Sequence, residues 1–201
     1  YEAMMGVGDL LNDQTRRAFL LTPREEFVRK ISLSHSYEHN FLDIGYGVTI
    51  SGPHAVGRMT STLDIKKGDK VLEIGTGCGY QAALLSVVSK EVYSIERLRG
   101  LHEKARENLR HLRAGNLHLL FGDGMLGYAQ GSPYAGIIAA AGGEALPQAW
   151  LDQLDVGGRL VAPMVTAHGQ QALVVVDRTP QGLQQQILEA VHFVPLKSGI
   201  A

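Results

Sequence analysis

The sequence predicts an α/β fold with a doubly wound, Rossmann-like and mostly parallel sheet. From about residue 54, short apolar runs alternate with segments of helical periodicity, which is the pattern of successive βαβ units. Near the end of the chain, two strand-like runs are separated only by turn residues, which predicts an antiparallel hairpin at the edge of the sheet. The first part of the chain follows a different pattern and predicts a helical extension.

Residues 1–53 are predicted to form this N-terminal extension together with a loop on the substrate side of the fold. Thr22 can cap a helix whose first position is Pro23, and Glu25 completes a capping box. Glycines at positions 45 and 47 then indicate a loop before the run Val48-Thr49-Ile50. We expect this extension and the domain over residues 54–201 to form one integrated structural unit.

The elements of the main domain follow from the spacing of their apolar residues. A strand is predicted where a short apolar run ends at turn residues, and a helix where leucines and alanines recur every three or four positions. The predicted strands cover residues 70–74, 91–95, 117–121, 134–139, 159–164, 172–177 and 185–194. The predicted helices cover residues 81–88 and 98–112.

Composition limits the classes of function. Lys and Arg number 19 against 20 Asp and Glu, a net charge of -1 that gives no support to a nucleic-acid partner. The single cysteine, Cys78, excludes an intramolecular disulfide and favours a reducing compartment, so we expect a cytoplasmic protein. No apolar run reaches the roughly 20 residues of a membrane span. We expect no membrane partner, no metal site and a monomer.

A glycine-rich turn follows the first strand of the predicted parallel sheet. Gly75, Gly77 and Gly79 would let backbone N–H groups approach a ligand, and the following helix N-terminus favours a carboxylate or phosphate. Glu96 stands at the end of the next strand, where its carboxylate can accept both hydroxyls of a ribose. Together these features predict a nucleoside-containing cofactor.

Two details favour S-adenosylmethionine over a dinucleotide. The glycines are spaced G-x-G-x-G rather than G-x-G-x-x-G. Glu73 precedes them, where its negative charge would suit the cationic amino-acid part of S-adenosylmethionine and oppose a pyrophosphate. Asp123 follows the third strand, where it can accept from the exocyclic amine of adenine. Alternatively, the glycines are ordinary turn residues and Asp123 is a helix cap.

Several segments resemble the protein-L-isoaspartate O-methyltransferase family. They are Pro23-Arg24-Glu25, Thr49-Ile50-Ser51, Pro53-His54, the run from Val71 to Gln81 and Phe193-Val194-Pro195-Leu196. The likeness extends from about residue 20 to the end of the chain, in the same order. The glycine motif is common to many methyltransferases, whereas the Thr-Ile-Ser segment and the Val-Pro-Leu segment are more specific.

This resemblance implies a class I S-adenosylmethionine-dependent methyltransferase that methylates the free α-carboxylate of L-isoaspartyl residues in damaged proteins. Ser51 would be the catalytic residue beside the transferring methyl group, although Ser51 also suits a helix cap. Residues of the glycine loop would bind the methionine part, Glu96 the ribose, and the segment after the third strand the adenine. The implied cofactor-binding residues are Thr49, Ile50, Ser51, His54, Glu73, Ile74, Gly75, Thr76, Gly77, Glu96, Arg97, Asp123 and Gly124.

The chain also departs from the family pattern on the substrate side. Ala135 stands where the family has aspartate, Gly142-Gly143 replaces a proline-rich loop, and residues 40–43 lack the usual proline. These departures leave two alternatives open. The chain could be a carboxyl methyltransferase for a dedicated peptide or small molecule, or a non-catalytic protein that binds S-adenosylmethionine. An NAD-dependent dehydrogenase is disfavoured by the glycine spacing and by Glu73.

Overall fold

A computed structural model of the chain describes residues 13–27, 42–45, 48–50 and 53–201. The N-terminal elements precede the large sheet. They are α1 (Asp13–Leu21), a 3-10 turn (Arg24–Phe27), β1 (Leu42–Gly45), β2 (Val48–Ile50) and α2 (Pro53–Leu63). β1 and β2 pair antiparallel, so Leu42–Gly45 forms a strand where the sequence predicts short helices and the start of a glycine loop. Gly45 is the last residue of β1.

The remaining elements alternate between strands and helices along most of the domain. They are β3 (Lys70–Ile74), α3 (Tyr80–Val88), β4 (Glu91–Glu96), α4 (Arg99–Leu109), β5 (Leu117–Phe121), β6 (Tyr134–Ala139), β7 (Ala141–Gly142), α5 (Gln148–Gln153), β8 (Leu154–Val165), β9 (Gln171–Thr179), β10 (Gly182–Val191) and β11 (Val194–Pro195). Short 3-10 turns follow α4 and β5.

Seven strands form the central sheet in the order β10-β9-β8-β6-β3-β4-β5. β5, β4, β3, β6 and β8 run parallel, while β9 and β10 form the antiparallel hairpin expected at one edge. From β3 the chain adds β4 and β5 on one side and then returns to place β6 on the other side of β3. Ligands of open α/β sheets bind at such a switch point, outside the carboxyl ends of the strands.

Apolar residues alternate along the strands and build one core on each face of the sheet. On one face, Val71 and Val92 pack with side chains of α1, α2, α3 and α4. On the other face, Leu72 and Ile137 pack with Trp150 of α5. Both cores consist of side chains with almost no exposure, so the predicted doubly wound α/β architecture is confirmed. Among the described residues, no helix is long and apolar enough to cross a membrane.

Strand and helix boundaries differ from the predictions mainly where glycines interrupt a pattern. The strand predicted from residue 159 begins at Leu154, because the chain keeps its pairing with β6 across a register shift. Gly157, at φ +85°, lies within that irregular stretch. Helix α5 and the two-residue strands β7 and β11 were not predicted. They are short, and their position depends on contacts distant in sequence rather than on local periodicity.

Candidate cofactor-binding site

The carboxyl ends of β3, β4 and β6 and the start of the segment after β5 meet at one cavity of about 250 Å³. The cavity lies at the switch point of the sheet, where the fold predicts a ligand. Its walls are mainly apolar, with the buried carboxylate of Glu96 among them. The lining residues are Ile74, Gly75, Gly77, Ile95, Glu96, Arg97, Leu98, Gly124, Ala140, Ala141, Val194, Pro195, Leu196 and Lys197.

The glycine loop after β3 is held against β4. The Gly75 N–H donates to the Ile95 carbonyl at 2.9 Å, and the Gly77 N–H donates to Glu96 Oε1 at 2.9 Å. The loop then closes where the Gly79 N–H donates to the Thr76 carbonyl at 3.0 Å, just before α3 begins. Gly75 has φ +91°, a left-handed conformation that residues with a Cβ rarely adopt. The loop is therefore a fixed element of the cavity wall.

Glu96 is the acceptor group of the cavity. Its side chain is 5% exposed, its Oε1 accepts from Gly77, and its Oε2 accepts from the Leu98 N–H at 2.9 Å. Each carboxylate oxygen has two lone pairs, so both can accept a second hydrogen bond from a ligand hydroxyl. The two backbone donors also hold the carboxylate in one orientation. Such a group fits the ribose of a nucleoside cofactor.

Glu73 lies behind the cavity wall rather than on it. Its side chain is 1% exposed, and its Oε1 accepts a hydrogen bond from Ser94 Oγ at 2.5 Å. Among the described residues, Oε2 has no hydrogen-bond partner. Burial raises the pKa of Glu73 to about 8, against the lowering effect of Ser94, and the nearby Glu96 raises it further. This placement differs from the expectation that the carboxylate would face the ligand directly.

Asp123 and Gly124 lie where β5 leaves the sheet. Asp123 Oδ1 caps the following turn by accepting from the Met125 N–H at 2.9 Å, and Oδ2 accepts from the Gly199 N–H at 2.9 Å. Gly124 lines the cavity and accepts a hydrogen bond from Trp150 Nε1 at 2.8 Å. The capping alternative for Asp123 therefore describes its contacts, while a contact with adenine stays a prediction.

Residues 194–201, which we name the C-terminal strap, close one side of the cavity. β11 pairs parallel with β7, and the Leu196 N–H donates to the Gly142 carbonyl at 2.9 Å. Further along, the Ala201 N–H donates to the Arg97 carbonyl at 2.8 Å. The Phe-Val-Pro-Leu segment carries part of the family resemblance, and its place at the cavity was not predicted. The lining residues Val194, Pro195, Leu196 and Lys197 belong to this strap.

Of the nine predicted cofactor residues whose side chains the structure describes, six line the cavity. Those that line the cavity are Ile74, Gly75, Gly77, Glu96, Arg97 and Gly124. Those outside the list of lining residues are Glu73, Thr76 and Asp123. Ser51 lies outside the described residues, as do the side chains of Thr49, Ile50 and His54, although β2 and α2 carry their backbones. The missed lining residues Ala140 and Ala141 follow β6, where the switch-point rule could have located them.

The cavity fits S-adenosylmethionine better than a dinucleotide. Glu96 offers acceptors for a ribose, Gly75 and Gly77 bring backbone close to the ligand, and Ile95 and Leu196 supply apolar wall for a base. The glycine spacing also lacks the longer interval typical of pyrophosphate binding. The fold and the site together define a class I S-adenosylmethionine-dependent methyltransferase.

Comparison with known proteins identifies the family. A family model described as protein-L-isoaspartate(D-aspartate) O-methyltransferase matches residues 4–201. The chain is 53% identical over 194 residues to a protein-L-isoaspartate O-methyltransferase of Leptothrix cholodnii, covering 94% of this chain and 69% of that protein. It is 53% identical over 188 residues to one of Methylibium petroleiphilum, covering 90% of this chain and 70% of that protein. The chain belongs to the protein-L-isoaspartate (D-aspartate) O-methyltransferase family.

Solved structures agree with this assignment. A protein-L-isoaspartate O-methyltransferase superposes with a TM-score of 0.88 at 30% identity, over 98% of this chain and 65% of that one. A Plasmodium falciparum protein, described as a protein-L-isoaspartate O-methyltransferase in complex with S-adenosyl-L-homocysteine, superposes with a TM-score of 0.86 at 23% identity. That match covers 98% of this chain and 95% of that one and bears on the fold alone. The cofactor of this methyltransferase is S-adenosylmethionine, and L-isoaspartyl repair is the activity that its family supports.

Proposed function

We propose that this cavity carries out the methylation of the free α-carboxylate of L-isoaspartyl residues in damaged proteins and peptides. One observation supports this proposal above the others. Glu96, with spare acceptor capacity, and the glycine loop that binds it lie at the switch point of a methyltransferase sheet. S-adenosylmethionine would supply an electrophilic methyl group at this point. The protein itself would have to bind the cofactor and the isoaspartyl substrate in the orientation that methyl transfer needs.

Different residues of the cavity would contact different parts of the cofactor. Glu96 would accept the ribose hydroxyls, with Arg97 beside it, and the loop from Ile74 to Gly77 would bind the methionine part. Asp123 and Gly124 would hold the adenine, with the strap as the opposite wall. Leu98 and Leu196 enclose the space with apolar surface, which excludes water from the buried hydrogen bonds.

The reacting oxygen needs no general base. An α-carboxyl group has a pKa of roughly 3.5, so it is ionised at neutral pH. Catalysis would therefore consist of alignment and exclusion of water, and such positioning can account for on the order of 7–11 kcal/mol of the barrier. Ser51 would orient the carboxylate beside the methyl group, and Thr49, Ile50 and His54 would form the wall between cofactor and substrate. These four assignments rest on the resemblance of the Thr-Ile-Ser segment.

Specificity would follow from hydrogen-bond donors that require a carboxylate. An isoaspartyl linkage carries a free α-carboxylate that a normal peptide linkage lacks. A site built for that group leaves its donors unpaired when a normal residue enters, and buried unpaired donors are costly. The site would therefore reject ordinary aspartyl peptides by large factors.

The N-terminal extension would act as part of the same unit as the domain over residues 54–201. Phe27 and Phe19 pack against the ring of Tyr80 with centroid distances of 5.6 and 6.2 Å. The guanidinium carbon of Arg24 lies 5.2 Å from the centroid of the same ring. Tyr80 is the first residue of α3, directly after the glycine loop. The extension thus supports the loop from outside, which favours one integrated structure over residues 1–53 and 54–201.

The remaining expectations concern setting and partners. We propose a cytoplasmic monomer that acts on isoaspartyl-containing proteins, without a nucleic-acid or membrane partner. The single buried cysteine and the net charge of -1 support this setting.

A second candidate function has one observation in its favour. Gly142 pairs with the strap and Gly143 follows it, directly after the lining residues Ala140 and Ala141. This glycine pair stands where the resemblance implies a proline-rich loop, next to two residues that line the cavity. A carboxyl methyltransferase for a dedicated peptide would have such a change. Ala135, the other departure, lies at the amino end of β6, away from the cavity.

One experiment tests both candidates. The protein is incubated with methyl-labelled S-adenosylmethionine and two peptides that differ only in one aspartyl or isoaspartyl linkage. Base-labile label on the isoaspartyl peptide alone is the expected result. Retained cofactor binding without transfer to either peptide would contradict general repair and favour a dedicated substrate or a non-catalytic binder.

A further inference from the structure

Ser94 forms hydrogen bonds with two of the predicted site residues, Glu73 and Thr76. Ser94 lies in β4 with no exposed surface, and its Oγ is 2.7 Å from Thr76 Oγ1 and 2.5 Å from Glu73 Oε1. Thr76 is 4% exposed and lies between Gly75 and Gly77, the two loop glycines that line the cavity. A buried chain of hydroxyl groups thus runs from the carboxyl group of Glu73 to the glycine loop.

The direction of the hydrogen bonds in this chain depends on Glu73. When Glu73 is ionised, it can only accept, so Ser94 donates to Glu73 and Thr76 donates to Ser94. When Glu73 is protonated on Oε1, it can donate to Ser94, and Ser94 can then donate to Thr76. The loop residue Thr76 therefore has a different hydrogen-bond role in the two charge states of a carboxyl group that does not line the cavity.

Three ties join the glycine loop to β4. The Gly75 N–H donates to the Ile95 carbonyl, and the Gly77 N–H donates to the side-chain carboxylate of Glu96. Among the described residues, Thr76 is tied to β4 through the hydroxyl of Ser94. Removing that hydroxyl would leave the middle of the loop without its anchor on β4.

We propose that Ser94 is a positioning residue, which fixes the glycine loop in its cofactor-binding shape through Thr76 and links that shape to the charge of Glu73. The proposal rests on the proposed cofactor role of this cavity. Ser94 does not line the cavity, so its effect would pass through the loop. A loop that is already ordered binds its ligand more tightly, because it loses less conformational entropy on binding.

Among the described residues, few charged groups affect the pKa of Glu73. Its neighbour on β6 is the apolar Ile138 and its neighbour on β4 is Ser94. The titratable groups that act on this region are Glu96, which opposes ionisation of Glu73, and Cys78, a buried thiol whose own pKa is raised to about 11 by burial. Arg24, from the N-terminal segment, acts on Cys78. Ser94 is the hydrogen-bond donor that favours the ionised form of Glu73.

The test measures the binding of S-adenosylhomocysteine by calorimetry between pH 6 and pH 9. Ser94→Ala is expected to raise Kd roughly fivefold at neutral pH, the loss of one net hydrogen bond, with a smaller change in kcat at saturating cofactor. Thr76→Val should have a similar effect, and the double variant should be no weaker than either single one. Ser94→Thr keeps the hydroxyl and should restore binding.

A pH profile separates this role from a purely structural one. The Ser94 hydroxyl favours ionised Glu73, so Ser94→Ala should move the pH dependence of binding to higher pH. Ser89→Ala is the matched control, because Ser89 is also buried and donates only to the Leu85 carbonyl in α3. It should lower the melting temperature and leave Kd and the profile unchanged.

Three outcomes would overturn the role of Ser94. In the first, Ser94→Ala lowers the melting temperature but leaves the Kd and the pH profile of binding as in the wild type. Another is full additivity of Ser94→Ala and Thr76→Val, and the third is folded Ser94→Thr that binds as weakly as Ser94→Ala. Failure of the wild-type chain to bind S-adenosylhomocysteine would instead contradict the cofactor site itself, so the two failures are distinguishable.

Discussion

The backbone N–H of Gly77 donates to Glu96 Oε1 over 2.9 Å, which joins the glycine loop to the carboxylate proposed to hold the ribose. The two groups come from successive βα units, and this bond fixes their separation. A change in either one therefore moves the other. The site behaves as one hydrogen-bonded unit rather than as two independent contacts.

Glu96→Gln tests this unit. Glutamine replaces one of the two carboxylate oxygens by an NH₂ group, which would face either the Gly77 or the Leu98 N–H, so one of these donors loses its acceptor. Hydrogen bonds to charged groups contribute about 1.5–3 kcal/mol, which predicts a Kd for S-adenosylhomocysteine about 10- to 100-fold higher. Calorimetric titration measures it.

Glu91→Gln is the matched control for this variant. Glu91 is a half-exposed carboxylate at the other end of β4, where it contacts His118 at 2.7 Å. The Glu91→Gln variant should bind the cofactor as tightly as the wild type does. Equal affinity of Glu96→Gln and Glu91→Gln would argue against a ribose contact at Glu96.

Glu73→Gln is expected to change how stability depends on pH. The pKa of Glu73 is raised from 4.5 to about 8 in the folded chain, so between these values the folded state binds more protons than the unfolded state. Stability from this group is complete below pH 4.5, falls as the pH rises and is lost above about pH 8. The variant cannot ionise there, so it should gain stability relative to the wild type between pH 6 and pH 9.

Urea unfolding at those two pH values measures the difference. The result expected is a difference in unfolding free energy, variant minus wild type, that is more positive at pH 9 than at pH 6. The same difference at both pH values would show that Glu73 does not titrate in this window. Glu103→Gln, on the exposed surface of α4, controls for the general effect of removing one carboxylate.

Ser51→Ala is expected to impair transfer rather than cofactor binding. If Ser51 orients the substrate carboxylate, its loss removes a hydrogen bond to a charged group and should lower kcat about 10- to 100-fold. The Kd for S-adenosylhomocysteine should remain within about twofold of the wild type. Label transfer to the isoaspartyl peptide measures kcat, and Ser86→Ala, a serine that donates to a carbonyl within α3, should match the wild type. An unchanged kcat would remove the catalytic role of Ser51.

Gly124→Ala tests the close approach at the end of β5. A Cβ at this position would lie 2.7 Å from Ile74 Cγ2, beside the cavity, so either the Ile74 side chain or the backbone at residue 124 must shift. Overpacking of this kind costs about 1–3 kcal/mol, and a lower melting temperature is expected together with weaker cofactor binding. Gly68→Ala is the control, because no atom lies within 4 Å of its added Cβ. Comparable melting temperatures for both variants would contradict the contact.

Much of the fold could be predicted because its signals are local. The strands at residues 70–74, 117–121 and 134–139 match their predictions, since each is a short run whose flanking turn residues are adjacent in sequence. The hairpin of β9 and β10 was likewise indicated by its turn. The strand Leu42–Gly45 was not predicted, because two short strands carry too little periodicity to be distinguished from a helical segment or a loop.

The site was predictable to a lesser degree. Gly75 and Glu96 could be placed together because parallel strands present their carboxyl ends on one edge. The burial of Glu73 was missed, since its position before the glycines does not reveal whether its carboxyl group faces the cavity or the hydroxyl of Ser94. That depends on the side chains of the neighbouring strand.

The sequence by itself determined the class of fold, the glycine loop and the identity of the family, because these depend on residue spacing along short stretches of chain. Only the tertiary structure decided that strap residues Val194 to Lys197 close one side of the cavity and that Ser94 joins Glu73 to Thr76. These contacts bring together segments distant in sequence. Their partners follow from the strand order and from the packing of each face, which no local pattern encodes.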